Sequence, residues 1–544
     1  MADNLMIGRR TFVKGGLAAS ALAALAACKN TSNGGNASGK SGGTMKYYIN
    51  EPVAIDPYNV QESEGTQVEM TLFDPLTVFN WKKKELVGKA AESWEVNDDA
   101  TQFTFHLVKG AKFHNGDKVD AASFKRGWER ILNPKMKTPS EIAYHLDPVV
   151  GAAEMKAGTA TELSGVTCPD ENTLVVKLAY PTADFPYITT HPGLSPVPQA
   201  ALDDPDAFLL APIGNGPFMM DGKWESGQYI NVKRFDGYYG EKAKLDGINF
   251  SIQKDPKTAF TEFTAGNMDF CSIPTGRIKE TEGQYGKSDD GYTVTSGKQV
   301  VTGVNASLYY LMMNLEDKAM ADVNVRRAIS LAINRQNIVD TLYEGSRVPA
   351  DGLFPSLIDD NEANKWAYAK YDFDAAKKIM DDNKLAGTEI TLSYNTGGGH
   401  EDLMTIIQGD LEKVGFKVTQ SGMEWATYLN KMTNGELQMG RLGWNADYPT
   451  MDNFIYPNFF STAENNYSKF KDPEIDAAIL AARKETDETK RRQAYREINK
   501  KIGDLAVIVP VVFYSNNHVG SSKISNFYFG PTQKGDFAHA EMQA

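Results

Sequence analysis

Residues 389–447 alternate short strand patterns with helix patterns, and this alternation constrains the fold more than any other feature of the chain. Apolar residues at every second position predict strands, whereas spacings of three and four predict helices. The predicted elements are a strand over 390–394, a helix over 400–414 that ends at Gly415, a strand over 416–418, a short helix from about 424 and a strand over 437–442. This β-α-β-α-β order predicts a parallel sheet with helices on its faces, and therefore an α/β fold.

Similar patterns lie on either side of this region. Alternating apolar and polar residues predict half-buried strands over 103–107, 174–178 and 230–232. Apolar residues at helical spacing predict helices over 325–332, with Asn324 as the N-cap, and over 475–482. The whole chain is therefore expected to mix helices with several sheets.

The parallel sheet also predicts where a ligand binds. In open parallel sheets, ligands bind beyond the carboxyl ends of the strands. Here those ends are residues 395–400 and 443–449, and both segments combine glycine with polar or aromatic residues. We expect a binding site at this edge of the sheet.

The second of these segments carries an unusual concentration of functional side chains, namely Arg441, Trp444, Asn445, Asp447 and Tyr448. One interpretation is an ion pair between the Arg and the Asp that steadies a loop, with the Trp as core filler. The other is a site for a zwitterion, in which Asp447 receives an ammonium group and Arg441 a carboxylate through charge-assisted hydrogen bonds. The two aromatic residues would then form walls of the site.

Composition excludes several classes of function. The chain has 544 residues and a net charge of −13, which argues against a nucleic-acid partner because phosphate binding needs basic patches. No metal site or cofactor is expected, since only Cys168 and Cys271 remain beside Cys28 and no pair of His residues has metal-ligand spacing. No catalytic arrangement is recognisable either, so we expect a binding protein, a monomer, and not an enzyme.

The amino terminus predicts the compartment. A head with Arg9, Arg10 and Lys14 precedes a mild apolar run that closes on Leu25-Ala26-Ala27-Cys28. This order is typical of a secretory signal, and the run is too short to span a bilayer. The final four residues resemble the lipobox of bacterial lipoproteins, in which Cys28 would carry a lipid. The Gly/Ser/Asn-rich segment 31–44 is then expected to act as a flexible tether.

Several segments together resemble one family, the extracytoplasmic solute-binding proteins of peptide ABC transporters. The matching segments, in family order, are Ala91-Glu92-Ser93-Trp94, residues 103–107 with 109–113, Asn215-Gly216-Pro217-Phe218, residues 322–328 and Ile508-Val509-Pro510-Val511. They extend from about Met45 to the carboxyl terminus. Within the family, Trp444-Asn445-Ala446-Asp447-Tyr448 is similar to the oligopeptide-binding branch.

This resemblance implies roles for individual residues. Asp447 would hold the α-ammonium group of a peptide, Arg441 the carboxylate of a short peptide, and His400 the carboxylate of a longer one. The complete set of implied peptide-binding residues is Asp447, Arg441, Trp444, Asn445, Trp425, His400, Tyr309, Tyr310 and Tyr144. Members of the branch have a disulfide-bonded Cys at the position of Asn445, and neither Cys168 nor Cys271 falls at its partner position. That bridge is therefore expected to be absent.

The resemblance also implies an architecture: a periplasmic-binding-protein-like, two-lobed clamshell with an extra inserted domain. The expected segments are a signal peptide (1–27), a lipidated Cys with its linker (28–44), a discontinuous domain I (45–73 with 217–304 and 515–544), an inserted domain II (74–216) and domain III (305–514). The implied partners are short peptides and the permease subunits of an ABC importer, with the membrane contacted only through the lipid anchor.

Three alternatives remain open from the sequence. The same fold could bind dipeptides, a nickel chelate or an oligosaccharide. The protein could instead sense a peptide signal or act as an adhesin with the same cleft. A peptidase is the third alternative, although no residues suggest one.

Overall fold

The structure, a computed structural model, describes residues 42–253, 255–396, 399–463 and 465–543. The predicted signal peptide, Cys28 and most of the predicted linker lie outside the described residues. Within the described ranges, no helix is both long and apolar enough to cross a membrane.

The strands, numbered in chain order, alternate with helices along most of the sequence. They are β1 (Thr44–Ile49), β2 (Thr77–Asn80), β3 (Glu85–Gly88), β4 (Ala91–Val96), β5 (Gln102–Leu107), β6 (Val166–Asp170), β7 (Thr173–Lys177), β8 (Phe218–Met220), β9 (Tyr229–Arg234), β10 (Gly247–Ile252), β11 (Phe270–Ser272), β12 (Thr293–Val294), β13 (Val300–Val301), β14 (Val304–Met313), β15 (Val348–Pro349), β16 (Glu389–Asn395), β17 (Lys417–Met423), β18 (Met439–Asn445), β19 (Ile508–Ser515), β20 (His518–Gly520), β21 (Ile524–Ser525), β22 (Phe527–Tyr528) and β23 (Glu541–Met542).

The α-helices follow the same numbering. They are α1 (Ser63–Leu72), α2 (Ala121–Ile131), α3 (Ala152–Lys156), α4 (Phe185–Ile188), α5 (Ala200–Asp203), α6 (Pro205–Leu210), α7 (Pro256–Thr264), α8 (Ile278–Tyr285), α9 (Val323–Ala332), α10 (Arg335–Leu342), α11 (Phe373–Asp382), α12 (Glu401–Val414), α13 (Trp425–Thr433), α14 (Met451–Phe459), α15 (Pro473–Lys484) and α16 (Glu488–Asp504).

Three larger sheets organise these elements. One has seven strands in the order β13-β20-β11-β1-β10-β9-β8, a second has six in the order β15-β19-β14-β18-β16-β17, and a third has four in the order β4-β5-β7-β6. The first two sheets are mixed: β1 runs parallel to β10 and β11, and β16 runs parallel to β17 and β18, whereas the other pairs in them are antiparallel. The predicted combination of helices with several mixed sheets is therefore confirmed.

The six-stranded sheet is buried on both faces, and its central strand β14 shows why. Leu308, Tyr310 and Met312 pack into one apolar core, while Tyr309 and Leu311 pack into another on the opposite face. Successive strand residues point to opposite faces, so an almost continuous apolar run indicates a strand covered on both sides. This burial holds the carboxyl end of the neighbouring β18 in a fixed place.

The four-stranded and seven-stranded sheets each have their own apolar cores. Helix α2 covers the four-stranded sheet with Phe124 and Trp128, and it begins at a capping box between Asp120 and Ser123. Residues from distant segments share the core of the seven-stranded sheet, including Tyr47, Phe250 and Phe537. The predicted domain boundaries stay a prediction, because these cores alone do not fix where each domain ends.

Two chain crossings are tied together beside the seven-stranded sheet, at Asp74 and Asn215. The Asn215 side chain accepts a hydrogen bond from the Asp74 backbone N–H (2.9 Å) and donates one to its carbonyl (3.1 Å). Gly214 lies so close to Leu72 that a Cβ atom would be 1.9 Å from the Leu72 carbonyl oxygen. Close backbone packing at this crossing therefore requires glycine at position 214.

Some local expectations differ from the structure. Asp322, and not Asn324, caps helix α9, because its carboxylate accepts the Asn324 backbone N–H at 2.8 Å. Strand β18 continues through Asn445, so the segment predicted as a loop from 443 begins as strand. Cys168 and Cys271 are both free thiols, which decides a point that the sequence leaves open.

Candidate functional site

The predicted site forms around the end of strand β18 and the turn that follows it. Strand β18 pairs with β14 on one side and with β16 on the other, which fixes the positions of Arg441 and Trp444. Asp447 lies two residues beyond the strand, just before helix α14. The carboxyl end of β16 adds Asn395 and, after a turn, His400 at the start of α12. The predicted edge of the sheet thus carries Asn395, His400, Arg441, Trp444 and Asp447.

Asp447 lies at one end of this group and is held by three hydrogen bonds. Its Oδ2 atom accepts from the Tyr144 hydroxyl (2.9 Å) and from Asn453 Nδ2 (2.9 Å), and its backbone N–H donates to Asn453 Oδ1 (3.0 Å). The other carboxylate oxygen, Oδ1, accepts no hydrogen bond from a described residue and the side chain is half-buried. Asp447 is therefore oriented but keeps one acceptor oxygen open.

Arg441 lies at the opposite end of the group. Its Nε donates to Asn395 Oδ1 at 2.7 Å, and its guanidinium lies over the rings of Trp425 (5.5 Å) and Tyr309 (5.9 Å). Arg441 forms no ion pair with any acidic residue of the described ranges. The interpretation of an Arg441–Asp447 pair that steadies a loop is wrong, because each side chain is held by neutral partners.

The Arg441 end is strongly electropositive. Burial, together with the positive charges of Arg441 and Arg347, lowers the pKa of His400 to about 3, so its ring is neutral at pH 7. The Tyr309 hydroxyl lies 3.3 Å from His400 Nδ1. Arg347 stacks on Tyr514 (4.7 Å), and its buried Nε has no hydrogen-bond partner in the described ranges. An anion entering here would meet two guanidinium groups.

The remaining predicted residues take different positions. Trp444 is half-buried and donates from Nε1 to Asn453 Oδ1 (3.2 Å), whereas Asn445 and Trp425 are exposed. Tyr310 points to the opposite face of β14 from Tyr309 and is buried in a core against which Trp444 packs, so the structure separates it from Tyr309. Tyr448, expected to form a wall, is also buried and packs into the core of the four-stranded sheet.

Sequence reasoning missed several residues that contact the site. Asn453 and Asn395 orient the two charged groups, Arg347 adds a second cation, and Lys534 lies near Asp447. An Asn close to a recognised motif is a weak signal that could have suggested Asn453. Arg347 and Lys534 stand in segments with no motif, and only the folded chain brings them here.

His145 and His191 lie behind Asp447, with ligand-type atoms of all three residues within 4.8 Å of one another. His191 Nδ1 accepts the Gly193 backbone N–H (3.1 Å), which leaves the ring proton on Nε2. A nitrogen that carries a proton cannot coordinate a metal, so this cluster does not fit a metal ion as arranged. Neither nitrogen of the buried His145 has a hydrogen-bond partner in the described ranges.

Asp447 lines a cavity of about 330 Å³, and Arg441 does not. Its wall is mainly apolar, with Phe79 and Trp81 among the lining residues. Asp447 and Lys534 both reach this cavity. A mainly apolar cavity of this size with charged groups in its wall is typical of a small-molecule or side-chain pocket.

Comparison with known proteins identifies the family. The model of the bacterial extracellular solute-binding proteins, family 5, matches residues 85–466. The oligopeptide-binding protein OppA of Bacillus subtilis (strain 168) is 27% identical over 537 residues, which cover 95% of this chain and 96% of that protein. The probable deoxycholate-binding periplasmic protein YgiS of Escherichia coli (strain K12) is 27% identical over 483 residues, covering 85% of this chain and 86% of that protein.

Solved structures agree with this assignment. The structure of Haemophilus influenzae OppA in complex with RPPGFSPFR is 25% identical, with a TM-score of 0.76, and the match covers 92% of this chain and 99% of that one. The likeness confirms the predicted α/β fold of the periplasmic-binding-protein type with an extra domain. The family match spans well over half of the sequence, and the protein is thus a member of the bacterial extracellular solute-binding proteins, family 5.

Proposed function

We propose that this protein is an extracytoplasmic receptor that binds short peptides and delivers them to an ABC importer. The observation that carries the proposal is the separation of opposite charges along one sheet edge. Asp447 keeps an open carboxylate oxygen at one end, and Arg441 and Arg347 make the other end electropositive. A peptide with free termini has the same distribution of charge, an ammonium at one end and a carboxylate at the other.

The roles of the individual residues follow from their chemistry. Asp447 accepts the ammonium group, and Arg441 accepts the carboxylate of a short peptide through charge-assisted hydrogen bonds. His400 donates to the carboxylate of a longer peptide, while Trp444, Trp425 and Tyr309 line the path between the two ends. The residues proposed to bind peptide are Asp447, Arg441, Trp444, Asn445, Trp425, His400, Tyr309 and Tyr144. Because Tyr310 is buried in a core, it supports β14 without touching the ligand.

Affinity that is independent of peptide sequence would come from the backbone. An extended peptide can pair with an exposed strand through main-chain hydrogen bonds, while bridging waters accommodate different side chains. The relatives named oligopeptide-binding protein OppA support a ligand of this class.

Attachment to the membrane belongs to the same proposal. Lipidation at Cys28 would keep the receptor close to the permease and raise its effective concentration there. The structure includes the end of the predicted linker in the fold, since Gly43 N–H donates to Asp246 (2.7 Å) and Thr44 begins β1, so only the part before Gly43 would let the binding domains turn toward the permease. No enzyme activity and no cofactor are needed for this role.

Isothermal titration calorimetry with matched peptides tests the proposal. A tripeptide with free termini should bind, its N-acetyl form should bind at least tenfold more weakly, and its C-terminal amide should also lose affinity. Mass spectrometry of material co-purified with the protein should find peptides of mixed sequence. Equal binding of the free and N-acetylated forms would contradict the ammonium role of Asp447.

A second candidate ligand class comes from the relative named as a probable deoxycholate-binding protein. An amphipathic carboxylate would suit the apolar cavity beside Lys534. This class has no ammonium group and would leave the open oxygen of Asp447 without a partner. Deoxycholate in the same titration decides between them: saturable binding that excludes peptides would favour the second class.

A further inference from the structure

A buried carboxylic acid, Glu69, has no hydrogen-bond partner among the described residues, and the next two residues of its helix, Met70 and Thr71, line the cavity that Asp447 also lines. Its side chain is on helix α1, has 0% relative exposure, and neither carboxylate oxygen makes a hydrogen bond with a described residue. An ionised carboxylate without hydrogen bonds or a counter-ion is very costly in a protein interior. Burial, with Asp56 adding to it, raises the pKa of Glu69 well above its usual range. Burial without a hydrogen-bond partner therefore favours the protonated form of Glu69.

Lys534 lies within electrostatic range of both Glu69 and Asp447. Burial lowers the pKa of Lys534, and the two carboxyl groups oppose that effect. Its ammonium group makes no hydrogen bond or ion pair within 4.0 Å among the described residues, and the side chain lines the cavity that reaches Asp447. Lys534 is on the segment between β22 and β23, so its long side chain has room in this cavity to change position.

The other acidic groups near Glu69 already have hydrogen-bond or ion-pair partners. Asp56, the nearest acid, is fully buried and forms an ion pair with Arg130 through two hydrogen bonds. Glu62 caps helix α1, accepting from the backbone N–H groups of Gly65 and Glu64. Lys534 is therefore the cation best placed to neutralise Glu69.

The groups near Lys534 comprise two neutral imidazoles and the charged lining of the cavity. Burial lowers the pKa of His145 to about 4 and that of His191 well below its usual range, so neither ring competes for a carboxylate at pH 7. The other charged or titratable groups that line the cavity are Asp74, Lys82, Lys89, Asp536 and His539. Asp74 is paired with Lys89, and His539 lies 2.8 Å from Asp536.

From this arrangement we propose that Lys534 is an internal counter-ion that leaves Asp447 for Glu69 when a peptide ammonium group binds. Without ligand, Lys534 balances the charge of Asp447 and Glu69 stays neutral. When the peptide ammonium takes over Asp447, Lys534 turns to Glu69, which loses its proton to solvent. This inference rests on the proposed peptide-binding function and deepens it.

The step balances in charge and atoms. Before binding, Asp447 is negative, Lys534 positive and Glu69 neutral. After binding, two carboxylates face two ammonium groups, and one proton has been released. Because binding releases a proton, affinity rises with pH, by about tenfold per pH unit while Glu69 is protonated in the free protein. Between pH 6 and 7 the peptide amine stays charged, since its pKa is about 7.7–8.0.

Calorimetry of the full chain in buffers with different ionisation enthalpies measures this proton directly. A tripeptide with free termini titrated at pH 6.5 should release about one proton per peptide bound, as the linkage requires. Glu69→Gln keeps the size of the side chain but cannot ionise, and it should bind the same peptide with no proton release. Lys534→Met should also abolish the release, because Glu69 then has no counter-ion.

Glu62→Gln is the matched control, because Glu62 caps the helix that carries Glu69 and burial raises the pKa of Glu62 to about 7. This variant should keep the release of one proton. Persistent release in Glu69→Gln, or loss of release only in Glu62→Gln, overturns the assignment to Glu69. Persistent release in Lys534→Met overturns the counter-ion role. If no variant and no parent protein binds peptide at any pH, the proposed function itself fails, and this inference fails with it.

Discussion

Two aspartates of this protein, the buried Asp74 and the half-buried Asp447, both accept from tyrosine hydroxyls, but only Asp74 has a partner at each carboxylate oxygen. Asp74 accepts hydrogen bonds from the hydroxyls of Tyr238 (2.6 Å) and Tyr239 (2.7 Å) and pairs with Lys89 at 3.4 Å. Asp447 also accepts from a tyrosine hydroxyl, that of Tyr144, but one of its oxygens stays open. Both accept hydrogen bonds in largely apolar surroundings, yet only Asp74 has a donor or a cation at each of its carboxylate oxygens.

We propose that the difference separates a structural carboxylate from a binding carboxylate. A buried charge that is fully paired has nothing left to offer a ligand, whereas an oriented but incompletely paired one gains free energy when a donor arrives. Asp74 and Asp447 line the same cavity, but Tyr238, Tyr239 and Lys89 already saturate Asp74, whereas Asp447 keeps one oxygen open. The following predictions test this distinction, from the largest expected effect to the smallest.

Asp74→Ala should cause the largest loss of stability. The substitution leaves Lys89 and the two tyrosine hydroxyls without their shared acceptor, and breaking a buried pair on one side costs about 3–5 kcal/mol. The free energy of unfolding from urea denaturation, followed by circular dichroism, measures it. A variant as stable as the parent would show that Asp74 is not structural.

Asp447→Asn should instead affect binding. The amide keeps an acceptor for Tyr144 and Asn453 but removes the charge that attracts an ammonium group, so peptide affinity should fall by about 2–5 kcal/mol. Its stability should stay close to that of the parent. Calorimetry with a free and an N-acetylated tripeptide checks this, because the N-acetylated form should bind both proteins alike. If Asp447→Asn bound the free peptide with the affinity of the parent, Asp447 would not be the ammonium site and would not differ in role from Asp74.

Asn215→Ala should have an intermediate effect on stability alone. Asn215 has 0% relative exposure and makes two hydrogen bonds to the Asp74 backbone, and leaving such buried groups unpaired costs about 1–3 kcal/mol. The urea midpoint should fall while peptide affinity, measured on the folded variant, is unchanged. Reduced affinity would mean that the crossing also controls the site.

His145→Phe should alter the pH dependence of stability. Burial lowers the pKa of His145 to about 4 in the folded state, against about 6.5 when unfolded. The unfolded chain therefore binds a proton that the folded chain does not, and stability falls as pH drops from about 6.5 toward 4. Phe keeps the ring that stacks on Tyr144 but cannot titrate, so the slope should shrink by up to about 1.4 kcal/mol per pH unit. Identical slopes in urea titrations from pH 7 to 4.5 would contradict this.

Local patterns predicted the elements around the site well. The helix predicted over 400–414 is α12 (Glu401–Val414), and it ends at Gly415 with φ 111°, a conformation that suits glycine. The strand predicted over 390–394 is β16, with one more residue at each end. These predictions succeeded because periodicity and caps are properties of neighbouring residues. The cap of α9 was misplaced because Asp322 and Asn324 are both good capping residues.

The candidate site was only partly predictable. Arg441 and Asp447 were recognised because they stand in one short motif after a strand, but the motif could not show which groups hold them. Tyr310 was predicted beside Tyr309, yet the two point to opposite faces of β14 because adjacent strand residues do so. The burial of both faces of that strand could not be derived from two adjacent tyrosines.

The sequence by itself determined the alternation of strands and helices, the family and the two charged residues of the site. It did so because periodicity, motifs and spacing are carried by residues close together in the chain. Only the tertiary structure decided that Tyr144 holds Asp447 across 303 residues, and that Lys534 and Glu69 share its electrostatic environment. Such partners are selected by packing between distant segments, and a hydrogen bond or a missing one exists only after those segments meet.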